Sequence, residues 1–180
     1  MTSLPSISLV TGGAASGKSD FAETLVRASS RPRFYIATAQ AFDTEMEAKI
    51  EAHKEARAED GWTTFEEPLD LAGALPELPE GGVALLDCVT MWLSNLMMQN
   101  ADLEREAELL IASLDALPYP LVIVTNEVGQ GVVPDNALAR RFRQAQGQLN
   151  RLLAARADLV VQVTAGLPLV LKGALPETLQ

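Results

Sequence analysis

Apolar positions along this chain follow two alternating periods. Short, nearly continuous runs at Ser6 to Thr11, Arg33 to Thr38, Val83 to Asp87, Leu121 to Asn126 and Leu159 to Thr164 each predict a strand. Between them, apolar residues recur three and four positions apart, predicting helices over Asp20 to Ser29, Asp43 to Arg57, Thr90 to Gln99, Asp102 to Leu117 and Asn136 to Arg156. Strands alternating with helices describe a mostly parallel sheet with helices on both faces. Two shorter runs extend it: Thr63 to Glu66 as a further strand, and Leu167 to Lys172 as the hairpin partner that makes the C-terminal edge antiparallel. Pro76, Pro79, Gly81 and Gly82 punctuate a surface loop.

Where the first strand meets the first helix, the chain reads Gly12, Gly13, Ala14, Ala15, Ser16, Gly17, Lys18, Ser19, a G-x-x-x-x-G-K-S pattern. Glycines let the backbone curl until successive N–H groups aim at one anion. Lys18 adds a mobile positive charge for the outer phosphates, and the Ser19 hydroxyl can ligate Mg²⁺. The phosphates then meet a helix N-terminus, whose macrodipole and unpaired first-turn N–H groups favour negative charge. A plain turn between packed elements has no need of Lys and Ser at these two places. The fold expected is α/β, a P-loop NTPase-like three-layer sandwich.

Composition narrows the setting. With 180 residues and 48% hydrophobic content, the chain can bury a sizeable core, and we expect one domain over 1–180. A net charge of −10 argues against a sequence-independent nucleic-acid binder, which needs a basic surface. Cys88 is the single cysteine, which excludes an internal disulfide, and Met1 to Pro5 lacks the basic and apolar regions of a secretory signal. The stretch Leu159 to Leu175 is interrupted by Gln162, Gly166, Pro168, Lys172 and Gly173, so no membrane span is expected there. A cytoplasmic location is expected.

In such a sheet, ligands collect at the carboxyl ends of the strands. Asp87 ends one strand, where a carboxylate serves either as a metal ligand beside the phosphate loop or as a helix N-cap. Glu127 to Gly131 follows another, and reads equally as a ligand loop or as a simple connection. Cys88 reads as a small buried apolar residue. The only histidine, His53, shares one helix face with Met46, Ile50 and Arg57. A lone histidine on such a stripe is commonly a packed residue. Lys54 and Arg57 tilt the balance, because two cations within a turn suit a phosphate and disfavour the imidazolium. A neutral ring nitrogen is a competent nucleophile near pH 7.

From Ser8 to Lys172 the chain resembles the bifunctional adenosylcobinamide kinase/adenosylcobinamide-phosphate guanylyltransferase family of cobalamin biosynthesis. The resemblance rests on the loop Thr11 to Ser19, the segment Tyr35 to Ala39, Asp43 through Met46 leading to His53-Lys54, and Gly61-Trp62-Thr63 with Glu66. It continues through Leu86 to Thr90, Thr125 to Gly129 with Gly131 to Pro134, and Asn136 to Arg143. The resemblance implies two reactions on one corrinoid: phosphorylation of adenosylcobinamide by ATP or GTP, then transfer of GMP from GTP to that phosphate through a guanylylated His53. It further implies nucleotide or metal contacts at Gly12, Gly13, Ala14, Ala15, Ser16, Gly17, Lys18, Ser19, Ala37, Thr38, Ala39, Lys54, Glu55, Ala56, Arg57, Glu66 and Asp87. Ser19 and Asp87 would serve Mg²⁺, and a homo-oligomer, a trimer, is implied. The family loop commonly carries Arg where this chain has Ala15, which removes one cationic contact, and permits Glu where this chain has Asp87. A P-loop GTPase or ATPase switch, or an inert nucleotide-binding subunit, would use the same loop without retaining covalent GMP.

Overall fold

Seven strands form one sheet in the order β3-β2-β4-β5-β1-β6-β7 in the computed structural model, which describes residues 4–41 and 44–179. Within these ranges the side chains of Glu45, Met46, Lys49, His53 and Ala56 are outside the description. The chain runs β1 (Ile7–Gly12), α1 (Lys18–Arg27), β2 (Arg33–Ala37), α2 (Thr44–Glu59), β3 (Trp62–Glu66), α3 (Leu71–Ala74), β4 (Val83–Asp87), α4 (Val89–Met98), α5 (Leu103–Leu114), β5 (Leu121–Asn126), α6 (Ala137–Arg156), β6 (Leu159–Thr164) and β7 (Leu167–Lys172). Every pairing from β3 across to β6 is parallel, and only β7 runs antiparallel to its neighbour. Three layers and an antiparallel C-terminal edge therefore match the expected architecture.

Strict alternation along the central strands builds two cores. Ile7, Leu9, Ile36, Leu86, Leu121 and Ile123 face a layer containing Trp92 and Leu93 of α4, Leu110 of α5 and Leu149 of α6. Val10, Tyr35, Leu85, Val122, Val124 and Val161 face the other way, onto Ala22, Leu25 and Val26 of α1. Burying both faces explains why these strands read as continuous apolar runs. Each fully buried leucine or valine contributes about 1.5–3 kcal/mol relative to exposure.

Helix ends follow local chemistry. The Asp102 carboxylate accepts from the Arg105 amide at 3.2 Å, and the Asn136 side chain from the Ala139 amide at 2.7 Å, capping α5 and α6. Helix α1 begins at Lys18, two residues before the expected Asp20, because Gly17 adopts a left-handed turn (φ 87°) that starts the helix early. As a result Lys18 and Ser19 lie in the first helical turn. Helix α5 ends at Leu114 rather than Leu117, ahead of Pro118 and Pro120, which disfavour helical geometry before them. Helix α3 and the 3₁₀ turn Leu75–Glu77 have no counterpart in the sequence reading, being too short to show a period; Leu71 and Leu75 are nonetheless buried. The expected start of α2 at Asp43 lies outside the described residues.

Candidate active site

Gly12 ends β1 between Asn126 of β5 and Val163 of β6. A methyl group there would sit 2.5 Å from the Val163 carbonyl oxygen and 2.5 Å from the Ser16 hydroxyl oxygen, so glycine is required by close approach. The loop is braced from two sides: the Glu127 amide donates to the Gly12 carbonyl at 2.9 Å, and the Gly166 amide to the Ser16 carbonyl at 2.8 Å. Gly13, Ala14 and Ala15 are exposed, while the Lys18 ammonium donates to the Gly13 carbonyl at 3.1 Å. The result is an exposed loop crossed by one cation at a helix N-terminus. Gly12→Ala should cost about 1–3 kcal/mol of stability, since a backbone carbonyl must move. Gly13→Ala, with nothing within 4 Å of its new methyl, should be far milder. Urea midpoints of the two variants check this, and equal midpoints would contradict it.

A cleft of about 340 Å³ opens against this loop, lined by Gly13, Ala14, Ala15 and Ser16, by Glu127 and Gln130 after β5, and by Gln162 to Ala165 at the β6–β7 turn. The segment that reads equally as ligand loop or connection thus walls the cleft. It is held by its own bonds: Glu127 accepts from the Gly129 amide at 2.7 Å, and Arg143 of α6 donates to the Gly129 carbonyl at 2.5 Å. The β6–β7 turn was not legible as part of the site. Its signal was a two-residue hairpin, Ala165-Gly166, both with positive φ (51° and 78°), directly after a strand that ends beside Gly12.

Parallel register lines up the remaining candidates along the same sheet edge. Glu66 pairs with Ala37, and Ala37 with Asp87, so β3, β2 and β4 present them side by side. Asp87 precedes α4 but does not cap it; the N-cap position is Cys88, with no side-chain capping bond. Instead the Tyr35 hydroxyl donates to Asp87 Oδ2 at 3.1 Å. Burial above all, with the negative charge of Asp87 second, raises the Tyr35 phenol far above its ordinary range, so it stays a donor. The peptide between Asp87 and Cys88 is cis, and the Thr38 hydroxyl holds Cys88 from both ends, donating to its carbonyl at 2.7 Å and accepting from its amide at 3.0 Å. Burial, then the Asp87 charge, pushes the Cys88 thiol up, in keeping with an inert packed residue.

Helix α2 carries the next group. Its described half-buried positions, Ile50, Lys54 and Arg57, recur at helical spacing; the side chains of His53 and Ala56 lie outside the described residues, and Glu55 is exposed. Lys54 pairs with Glu66 at 3.1 Å and approaches Glu51 at 3.9 Å. The hydrogen bond to Glu66 raises the Lys54 ammonium above its ordinary range. Arg57 lays its guanidinium over the Tyr35 ring, 3.8 Å from the centroid. A second cleft, about 680 Å³, lies between α2 and the strand ends, lined by Ala39, Glu47, Ile50, Glu51 and Glu66 among others. Of the candidates, Gly13 to Ser16 line the first cleft and Ala39 and Glu66 the second, while Lys18, Ser19 and Asp87 line neither of these two. β3 stands four strands from β1, about 19 Å at roughly 4.8 Å per strand.

The opposite side of the β5 end holds a network that sequence reasoning did not find. Thr125 donates to Asn150 at 2.6 Å, Gln146 donates to both, and the Asn126 amide donates to Thr90 at 2.8 Å. Polar residues at the core-facing spacing of α6 were the available signal.

A family model described as cobinamide kinase / cobinamide phosphate guanyltransferase matches residues 8–171. The bifunctional adenosylcobalamin biosynthesis protein CobP of Pseudomonas aeruginosa is 46% identical over 170 residues, covering 92% of this chain and 96% of that protein. CobU of Escherichia coli, of the same description, is 40% identical over 181 residues, covering 91% and 98%. Among solved structures, an ATPase from the type III secretion system of pathogenic bacteria superposes with a TM-score of 0.53 at 10% identity, over 88% of this chain and 51% of that one. The Pyrococcus horikoshii OT3 protein PH0250 gives 0.55 at 10% identity, over 93% and 86%. Those two likenesses concern the fold alone, whereas the sequence relatives and the family model span nearly the whole chain, which therefore belongs to the cobinamide kinase / cobinamide phosphate guanyltransferase family.

Proposed function

We propose that this protein, acting as one domain, phosphorylates adenosylcobinamide with ATP or GTP and then transfers GMP from GTP to the new phosphate through His53. The observation that carries the reading is the common sheet edge, where the glycine loop and Lys18 stand at β1, Asp87 at β4 and Glu66 at β3, with the histidine-bearing helix beside them. In the kinase step, the substrate hydroxyl attacks the γ-phosphorus while the bond to the leaving diphosphate breaks. The amides of Gly13 to Ser19 and the Lys18 ammonium hold the phosphates in line and take up the charge that develops. Ala15 contributes backbone only, so Lys18 is the loop's sole side-chain cation.

The oxygen donors present fit magnesium. Ser19 offers a hydroxyl in the first turn of α1 and Asp87 a carboxylate with one oxygen engaged by Tyr35. Among the described residues no cluster of three or more His, Cys, Asp or Glu could hold an ion by itself, and Mg²⁺ is commonly shared between one or two protein oxygens and nucleotide phosphates. Magnesium bound with the nucleotide would neutralise charge on the β- and γ-phosphate oxygens.

In the second step the His53 ring nitrogen forms a bond to the α-phosphorus of GTP as pyrophosphate leaves. A phosphate oxygen of the phosphorylated corrinoid then attacks that phosphorus and releases the imidazole. Approach of α2 and the phosphate loop around one GTP is the geometric requirement. Ala37, Thr38 and Ala39 would stand behind the nucleotide at the end of β2, with Lys54, Glu55, Ala56, Arg57 and Glu66 on the far side. A homo-oligomer, a trimer in the cytoplasm, belongs to the same reading; exposed Leu167, Leu169 and Leu171 on the edge strand β7 support association.

The test is a pulse and chase. Protein incubated with α-labelled GTP should acquire acid-labile, base-stable label, which adenosylcobinamide phosphate should then remove into a corrinoid product. Absence of label, or label that the corrinoid phosphate does not discharge, would refute the reading.

A further inference from the structure

Tyr35 occupies the middle of β2 and is 7% exposed. Its register partner is Leu85, and that of Ala37 is Asp87, so Tyr35 and Asp87 project from the same face of the sheet, one pair apart. That diagonal puts the phenol hydroxyl 3.1 Å from Asp87 Oδ2. Behind the hydroxyl, the ring is fixed on two sides. Trp62 meets it edge-on, centroids 5.9 Å apart and planes at 82°, and the Arg57 guanidinium lies on its face. Among the described residues Arg57 Nε, which is buried, has no hydrogen-bond partner, and the aromatic face is a principal contact of that cation.

Asp87 is consequently clamped twice, through its side chain by Tyr35 and through the following residue by Thr38. Core packing explains an aromatic ring at this position, and phenylalanine would fill it equally well. It does not explain a buried hydroxyl spent on one oxygen of a carboxylate at the nucleotide edge. A carboxylate with Oδ2 engaged has lost its rotational freedom, and Oδ1 is set in one direction.

We propose that Tyr35 is a positioning residue for phosphoryl transfer: its hydroxyl fixes Asp87 so that the second carboxylate oxygen faces the nucleotide-bound cation, and its ring, stacked under Arg57, ties that carboxylate to the helix bearing His53. This rests on the proposed role of Asp87 toward Mg²⁺. Hydrogen-bonded supports of metal ligands commonly govern metal affinity by 10-fold or more, and the Tyr35 hydroxyl is such a support.

The experiment measures the Mg²⁺ concentration that half-saturates binding of a fluorescent ATP analogue to the full-length protein, without turnover. Asp87→Asn should raise it at least about tenfold, Tyr35→Phe by about three- to tenfold, and the double variant no further than Asp87→Asn alone. Thermal melts without nucleotide establish that each variant is folded; a purely structural tyrosine would shift the melt and leave the titration at its wild-type value. If Asp87→Asn leaves the titration unchanged, the metal role of Asp87 fails and the Tyr35 role falls with it. If Asp87→Asn shifts it while Tyr35→Phe does not, or if the two shifts add in the double variant, Tyr35 alone is refuted and the reading of Asp87 stands.

Discussion

His53→Ala protein incubated with α-labelled GTP should acquire no acid-labile label, a complete loss. The chain has a single histidine, so removing it removes every imidazole able to capture the α-phosphorus. The expected bond is a phosphorus–nitrogen bond, which acid cleaves and base spares, unlike an ester to serine or threonine or an anhydride to a carboxylate. Kinase turnover in the same variant should stay within a fewfold of wild type, because the proposed first step uses the phosphate loop and not the imidazole. That split separates chemistry from collapse of the fold. Label persisting in His53→Ala with the same acid lability would transfer the bond to a lysine, and Lys49 and Lys54 of α2 would be the residues to replace next.

The second large effect is expected for Lys18→Ala. Its ammonium is the single side-chain cation between Gly12 and Ser19, and it already lies across the loop on the Gly13 carbonyl at 3.1 Å. A nucleotide's outer phosphates would take over that contact. Without the charge, the amides and the helix N-terminus still attract an anion, so some binding should survive, but the transferring phosphoryl group loses its stabilisation. A fall of about 10²–10³ in kcat is expected, the usual consequence of deleting one preorganised electrostatic partner. Lys18→Arg should recover only part of it, since a planar guanidinium does not reproduce a compact ammonium. Kinase rates at saturating nucleotide check the prediction; a rate for Lys18→Ala within threefold of wild type would contradict it.

The sheet was legible because its strands are buried on both faces and therefore announce themselves as unbroken apolar runs; Val83 to Asp87 and Leu121 to Asn126 coincide with the strands observed. The loop between β1 and α1 was legible because close packing at Gly12 and the left-handed turn at Gly17 leave little choice of residue there. What escaped was whatever depends on contacts between elements distant in sequence. Tyr35 looked like one more apolar strand residue, and only pairing of β2 with β4 discloses its hydroxyl's partner 52 positions away. The β6–β7 turn joins the phosphate loop across about 150 positions of chain, through the Gly166 amide. Lys54 and Arg57 read in the sequence as two cations within a turn of the imidazole, and what spacing did not show is the partner each has, Glu66 and the Tyr35 ring, because α2 packs beside β2 and β3. A cation's availability is a property of its surroundings, which linear spacing does not record.

The register of β4 between β2 and β5 carries a parity rule. Odd-numbered Val83, Leu85 and Asp87 look toward α1, and even-numbered Ala84 and Leu86 toward α4. Inserting one residue inside this strand would exchange the two sets, driving the carboxylate into the oily layer around Trp92 and Leu93 and leaving a leucine in its stead. Two inserted residues would restore the alternation while displacing the acid by one pleat. An odd change in the count of residues leading up to Asp87 is therefore opposed by the packing on both faces of the sheet at once, whereas exchanging one acid for another at the strand's end disturbs neither core.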